Sequence, residues 1–227
     1  MSTMKQAVAR RAKMSERAEH QRQIHFAGVD DAWIWNRKKN NGFSTVPRTL
    51  PIAMQVADEQ SKGQPPGHVL FCLWARAPDH PVLVIDNPVT FAAEAGFTGP
   101  RAVDTWRRRM KRLQELQLIV AKPGPAGDFH YVLLTNPNAA VEFLREEGKI
   151  QDVLYGRFWD RLSEVGGLSE IDVIRAYWAQ LKAKAQEPPP PPPLPTLPPP
   201  PLSTDAPTES APTKVKARKS KPKSGEK

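Results

Sequence analysis

Residues 87–135 read NPVTFAAEAGFTGPRAVDTWRRRMKRLQELQLIVAKPGPAGDFHYVLLT, and the order of elements in this stretch decides the fold. Asn87 is suited to cap a helix and Pro88 to fill its first position, while Gly96 supplies a left-handed stop. A short turn, Phe97-Thr98-Gly99, leads to Pro100, which opens a second and longer helix, RAVDTWRRRMKRLQEL. Two β-rich runs follow, LIVAK and FHYVLLT, separated by PGPAGD, so a hairpin with a six-residue tip is expected. Upstream, Pro47 to Gln60 reads as a helix closed by Gly63, and PPGHVLFCLWARAPDH as a short apolar helix that ends before Pro78. PVLVID, residues 81–86, reads as a short strand between them and the stretch above.

Helix, strand, helix, turn, helix, hairpin is the order of a winged helix-turn-helix, a mainly α fold with a small β-hairpin wing. Four segments follow from the changes in composition. Residues 1–28 are a basic arm of helix-compatible composition, and residues 29–137 are the winged-helix domain. Residues 138–186 form a helical C-terminal extension of two or three amphipathic helices that packs on the domain or dimerises it. Residues 187–227 hold 14 of the 25 prolines, which makes them a polyproline spacer followed by a basic disordered tail. Before the first of the capped helices, Trp33, Ile34 and Trp35 form an apolar knot for which a core or lid role is expected, with base stacking as the alternative.

Projecting Arg101 to Leu116 at 100° per residue separates two faces. Ala102, Trp106, Met110, Leu113 and Leu116 gather on one side, the side expected to be buried. Arg101, Thr105, Arg108, Lys111 and Arg112 lie opposite, while Arg107 and Arg109 flank the apolar face. The helix carries six basic and two acidic residues, whereas residues 41–181 as a whole carry 15 basic and 16 acidic. The net charge of +9 therefore belongs to this helix and to the two ends of the chain. A single basic element on an acidic body is aimed at polyphosphate. Arg101, Thr105 and Arg108 are placed for base edges, because arginine's fork matches guanine and threonine reaches either a base or a phosphate. Lys111 and Arg112 are placed for phosphates, Arg109 is a further DNA-binding candidate, and Lys122 and His130 on the hairpin add contacts from the wing.

Other chemistries find no pattern. The five histidines show no metal spacing, and the single cysteine, Cys72, lies in the apolar run VLFCLWA, where a buried, inert thiol is expected. No phosphate-cradling loop or nucleophile elbow is present, and the acidic pairs Asp30-Asp31 and Glu146-Glu147 are not a positioned acid and base. Neither enzyme activity nor a cofactor is expected. No apolar run approaches the roughly 20 residues that span a bilayer, so a membrane partner is not expected either.

In NNGFSTVPRTLP, LFCLWARAPDH, FAAEAGFTGPRAVDTWRRRMKRLQELQLI and GDFHYVLLTNP, the chain resembles a group of uncharacterised bacterial winged-helix DNA-binding proteins. Modules of this kind are met in plasmid and mobile-element regulators, partition proteins and replication initiators. The resemblance covers residues 40 to 145 and bears on fold more than on role. The helix-turn-helix and wing order, together with the asymmetric charge, leads us to expect a cytoplasmic, nucleoid-associated protein that binds double-stranded DNA as a homodimer. A transcriptional regulator or plasmid maintenance factor is the leading expectation, with a protein partner for the Pro-rich tail. The alternatives are an interaction adaptor and a plasmid-type replication initiator. Initiators of this type carry two tandem winged helices, and residues 138–185 offer no second hairpin.

Overall fold

The computed structural model describes residues 2–37 and 39–186. The Pro-rich linker and basic tail expected at 187–227 lie outside the described residues. Eight α-helices and one three-stranded antiparallel sheet are formed among the described residues, so the protein is mainly helical. In chain order they are α1 (Ser2–His25), a 3-10 turn (Asp31–Trp33), α2 (Leu50–Glu59), α3 (Gly67–Arg76), β1 (Val82–Val84), α4 (Pro88–Glu94) and α5 (Ala102–Glu115). Then come β2 (Ile119–Gly124), β3 (Gly127–Leu134), α6 (Pro137–Glu146), α7 (Asp152–Val165) and α8 (Leu168–Gln186).

The basic arm is helical. From Ser2 to His25 it has neither proline nor glycine and is rich in Ala, Arg, Glu and Gln, residues that lose little freedom in a helix. Arg22 near its end pairs with Glu19 at 3.1 Å and with Asp31 at 3.2 Å, and Lys39 pairs with Asp31 at 3.2 Å. Those two cations, Lys39 foremost, hold the Asp31 carboxyl below the usual carboxylate range. The apolar knot is not core: Trp33 is 87% and Trp35 63% exposed. The 3-10 turn leaves Trp33 without a packed surface, and Trp35 meets the edge of Phe43, with ring centres 6.2 Å apart.

Local chemistry sets most helix ends. Asn87 Oδ1 accepts from the Val89 amide at 3.0 Å, and Pro88 follows in the first turn of α4. At the other end Gly96 takes φ +81°, and the amides of Phe97 and Gly96 return to the carbonyls of Ala92 and Ala93, a double closure of the last turn. α5 begins at Ala102 rather than Pro100, because the turn runs on through Arg101, which stands at the N-cap. It ends with Gln117 at φ +60°, a left-handed residue that lets the Leu118 amide reach back to Leu113. Likewise α2 begins at Leu50 rather than Pro47, after a turn in which the Leu50 amide bonds the Pro47 carbonyl.

The sheet has the order β1-β3-β2, with Val82 and Val120 both opposite Leu133, and Val84 and Lys122 both opposite Tyr131. The hairpin tip is shorter than the expected six residues. Pairing continues to Gly124 and Gly127, leaving Pro125 and Ala126 as the turn, and a bulge forms at Pro123, which has no amide to donate. Gly124 is required because a Cβ there would sit 2.3 Å from the ring of His130.

One core joins the whole of this. Leu50, Val56, Leu70, Leu73, Trp106, Met110, Ile119 and Val132 are buried together with Val141 and Leu144 of α6 and Phe158 and Leu162 of α7. Residues 138–186 thus share the interior of residues 50–134. Cys72 is half-buried rather than enclosed, and burial, reinforced by the charge of Glu94, pushes its thiol up. Trp106 is the largest side chain at the centre, between Phe91 at 6.3 Å and Phe129 at 6.1 Å. Trp106→Ala is expected to lower stability by about 3–5 kcal/mol in urea denaturation, the cost of losing a buried aromatic and leaving a cavity. A change below about 1 kcal/mol would show that these three rings do not organise the core.

Candidate nucleic-acid interface

α5 is amphipathic because its apolar residues recur at the helical period, and Trp106, Met110 and Leu113 are fully buried. Burying that side fixes the other. Arg101, Asp104, Arg107, Arg108 and Lys111 are exposed, and Thr105, Arg109 and Arg112 are half-buried. The basic residues read together from the sequence therefore fall into distinct environments.

Arg101, Arg108 and Lys111 present their charge to solvent with no ion-pair partner among the described residues. Arg108 and Lys111 line a cleft of about 560 Å³, whose other wall is the loop between α2 and α3. That loop adds Lys62 and Gln64, both exposed. Thr105 sits at the margin of the same exposed side. Arg107 leans the other way: it pairs with Asp104 at 3.6 Å, and its guanidinium lies near Gly127 at the hairpin tip.

Arg112 is a structural brace rather than a free phosphate ligand. Its Nε donates to Ser61 Oγ at 3.0 Å, one terminal nitrogen donates to the Gln60 carbonyl and the other to Glu115 at 2.9 Å. Gln60 is the C-cap of α2, so Arg112 satisfies the end of that helix and fixes the loop bearing Lys62. Arg109 also turns inward. Its Nε is shut off from solvent with no hydrogen-bond partner among the described residues. Burial, then the charge of Arg108, push its guanidinium below the usual arginine range, against the pull of Asp58. Arg109, a DNA-binding candidate in the sequence, is thus half-buried against the body.

His130 is likewise not available from the β2–β3 hairpin. It is 5% exposed, and its Nδ1 donates to the Ile85 carbonyl at 3.1 Å, joining β3 to the chain after β1. Lys122 remains exposed, on the outer side of the sheet opposite Tyr131. Around it Val82, Val84, Val120 and Leu133 are also exposed, so this side of the sheet is mostly apolar with one cation.

The structure adds Lys62 and Gln64 to the residues read from sequence. Their only sequence signal is position, in the polar loop SKGQPPG that ends one helix and precedes the next. No metal-binding cluster of His, Cys, Asp or Glu occurs among the described residues, and no described helix is long and apolar enough to cross a membrane. Comparison with family models, with curated proteins and with solved structures finds no match to this chain.

Two arginines four residues apart should therefore separate in experiment. Arg112→Ala is expected to cost about 1–3 kcal/mol of stability in urea unfolding, since it leaves the end of α2 without its charged donor. Arg108→Ala, at an exposed site, is expected to stay within about 0.5 kcal/mol of the parent. Equal losses in both variants would remove the distinction between brace and free cation.

Proposed function

We propose that residues 67–134 form a winged helix-turn-helix and that the protein binds double-stranded DNA in a sequence-specific way, with α5 in the major groove. Support for the fold comes from the order α3, β1, α4, α5, β2, β3 and from the placing of β3 between β1 and β2. α4 and α5 stand as the helix pair, and the β2–β3 hairpin as the wing. The observation that carries the functional reading is the exposed basic side of α5, continued across the cleft by Lys62 of the α2–α3 loop.

The roles follow from geometry. A helix of 14 residues is about 21 Å long, so its first half can enter a groove about 12 Å wide while the second half stays packed on the body. Arg101 and Arg108 with Thr105 are in or beside that leading half and read base edges. Lys111 and Lys62 lie toward the loop and neutralise phosphates, supplying affinity that carries no sequence information. Arg107, directed at the hairpin tip, and Lys122 on the wing serve the flanking backbone. A transcriptional regulator or a plasmid or mobile-element maintenance factor is the role that such a module fits. The apolar outer side of the sheet favours a second reading, an adaptor whose winged helix docks on protein.

Selection from a random duplex library, followed by fluorescence anisotropy on the enriched site, tests the proposal. Arg101→Ala and Arg108→Ala are each expected to cost about 1–3 kcal/mol on that site and to relax base preference. Lys62→Ala and Lys111→Ala should weaken all duplexes alike and lower the slope of log affinity against log salt by about one each. Absence of any enriched sequence, together with unchanged affinity in all four variants, would overturn the reading and favour the adaptor.

A further inference from the structure

α8 has two unlike sides. On one, Ile171 is buried, Ile174 packs against the core, Trp178 is half-buried, and Arg175 and Lys182 reach α6. Trp178 meets the edge of Phe143 at 6.4 Å, Arg175 pairs with the buried Glu142 at 2.6 Å, and Lys182 with Glu146 at 3.2 Å. The neighbouring side carries Val173, Tyr177 and Leu181 at intervals of four residues, 68%, 58% and 46% exposed. Three large apolar side chains in line on one helix are more than scattered surface residues, and Ala176 and Gln180 beside them bring no charge.

The pattern of α8 is symmetric about Tyr177. Val173 and Leu181 lie four residues to either side of it. Glu170 and Lys184 lie seven residues to either side, acidic before and basic after, which the helical period returns to the side of Tyr177. Neither has an ion-pair partner among the described residues, although Glu170 accepts hydrogen bonds from the neutral amides of Asn136 and Asn138. Placing charges this way suits the helix dipole of an isolated helix. The dipole does not, however, account for an apolar stripe centred on the same residue.

We propose that a second copy of the chain docks on this side, α8 against α8 and antiparallel, with a two-fold axis at Tyr177. In that arrangement Val173 of each protomer meets Leu181 of the other, the two Tyr177 rings meet at the axis, and Glu170 of each comes opposite Lys184 of the other. The contact is isologous, as closed dimers require. A parallel pairing would set Glu170 against Glu170 and Lys184 against Lys184, so charge selects the antiparallel form. One helix of 19 residues offers about 28 Å of contact, the scale of a modest and concentration-dependent interface. The pairing goes beyond the DNA-binding reading and is measured without nucleic acid, so either can fail while the other stands.

Sedimentation velocity of the full chain over a dilution series is expected to show a monomer–dimer equilibrium. Tyr177→Asp sets two like charges at the axis and should weaken it by roughly tenfold or more, with the helical circular dichroism and melting temperature unchanged. Orientation is read by disulfide trapping in a Cys72→Ala background. Val173→Cys and Leu181→Cys proteins should not cross-link alone, because like positions lie about 12 Å apart along the axis in the antiparallel pair. An equal mixture of the two should give a covalent dimer. A wild-type chain that stays monomeric at high micromolar concentration overturns the proposal, as does association insensitive to Tyr177→Asp. Cross-linking of each cysteine variant with itself would show parallel pairing and overturn it too.

Discussion

Burial of Trp106 between Phe91 and Phe129 is the contact on which the arrangement of this protein turns. The three rings belong to α5, α4 and β3, so one packed cluster fixes the helix pair and the hairpin to each other. Burying a tryptophan stabilises by several kcal/mol only if the residues a turn away are buried with it, and Met110 and Leu113 satisfy that condition. The orientation of α5 about its own axis follows. Once its apolar side is inside, Arg101, Arg108 and Lys111 have nowhere to go but solvent. The exposed cationic side is thus a by-product of core packing, positioned as rigidly as the core.

Six basic residues on α5 and its N-cap would repel one another if all faced water together, and the fold separates them. Arg112 is drawn to the end of α2, where the Gln60 carbonyl and Ser61 hydroxyl take up its donors. Arg109 folds toward Asp58 and the body, and Arg107 toward the hairpin. Left facing out are Arg101, Arg108 and Lys111, fewer than composition suggests and spread along the exposed side. The braced arginine also acts at a distance. By holding the α2–α3 loop, it sets Lys62 across the cleft from Arg108 and Lys111.

Much of this is legible in the sequence, and the failures have physical causes. Asn87, Pro88 and Gly96 act within a few residues of themselves, so their effects on α4 can be read directly, as can the apolar side of α5. The start of α5 is displaced by two residues because helix ends depend on whether a turn closes, which single residues do not decide. His130 could have been placed correctly. Val132 and Leu134 point into the core, and a period of two puts residue 130 on the same side. The fate of Arg112 is out of reach, since its partners lie 51 and 52 residues away in sequence. Trp33 and Trp35 show the converse limit: an apolar run is buried only if another surface arrives to cover it, and here none does among the described residues.

The helical extension is tied to the candidate surface by polar contacts as well as by the shared core. Thr49, at the start of α2, donates to Asn138 at 2.5 Å, and Asn138 in turn donates to Glu170 of α8 at 3.0 Å. At the opposite end of α2, the Gln60 side chain donates to the Lys149 carbonyl, beyond the end of α6. Both ends of α2 are therefore held by residues 138–170, and the loop that carries Lys62 inherits that restraint. Between α6, α7 and α8 the buried Glu142 accepts from Tyr155 at 2.8 Å and Arg175 at 2.7 Å, a charge that would be costly to leave unpaired in apolar surroundings. A displacement of α8 would have to break this network before it could move independently of α2. The spacing between the open side of α8 and the basic side of α5 is consequently a property of the folded body.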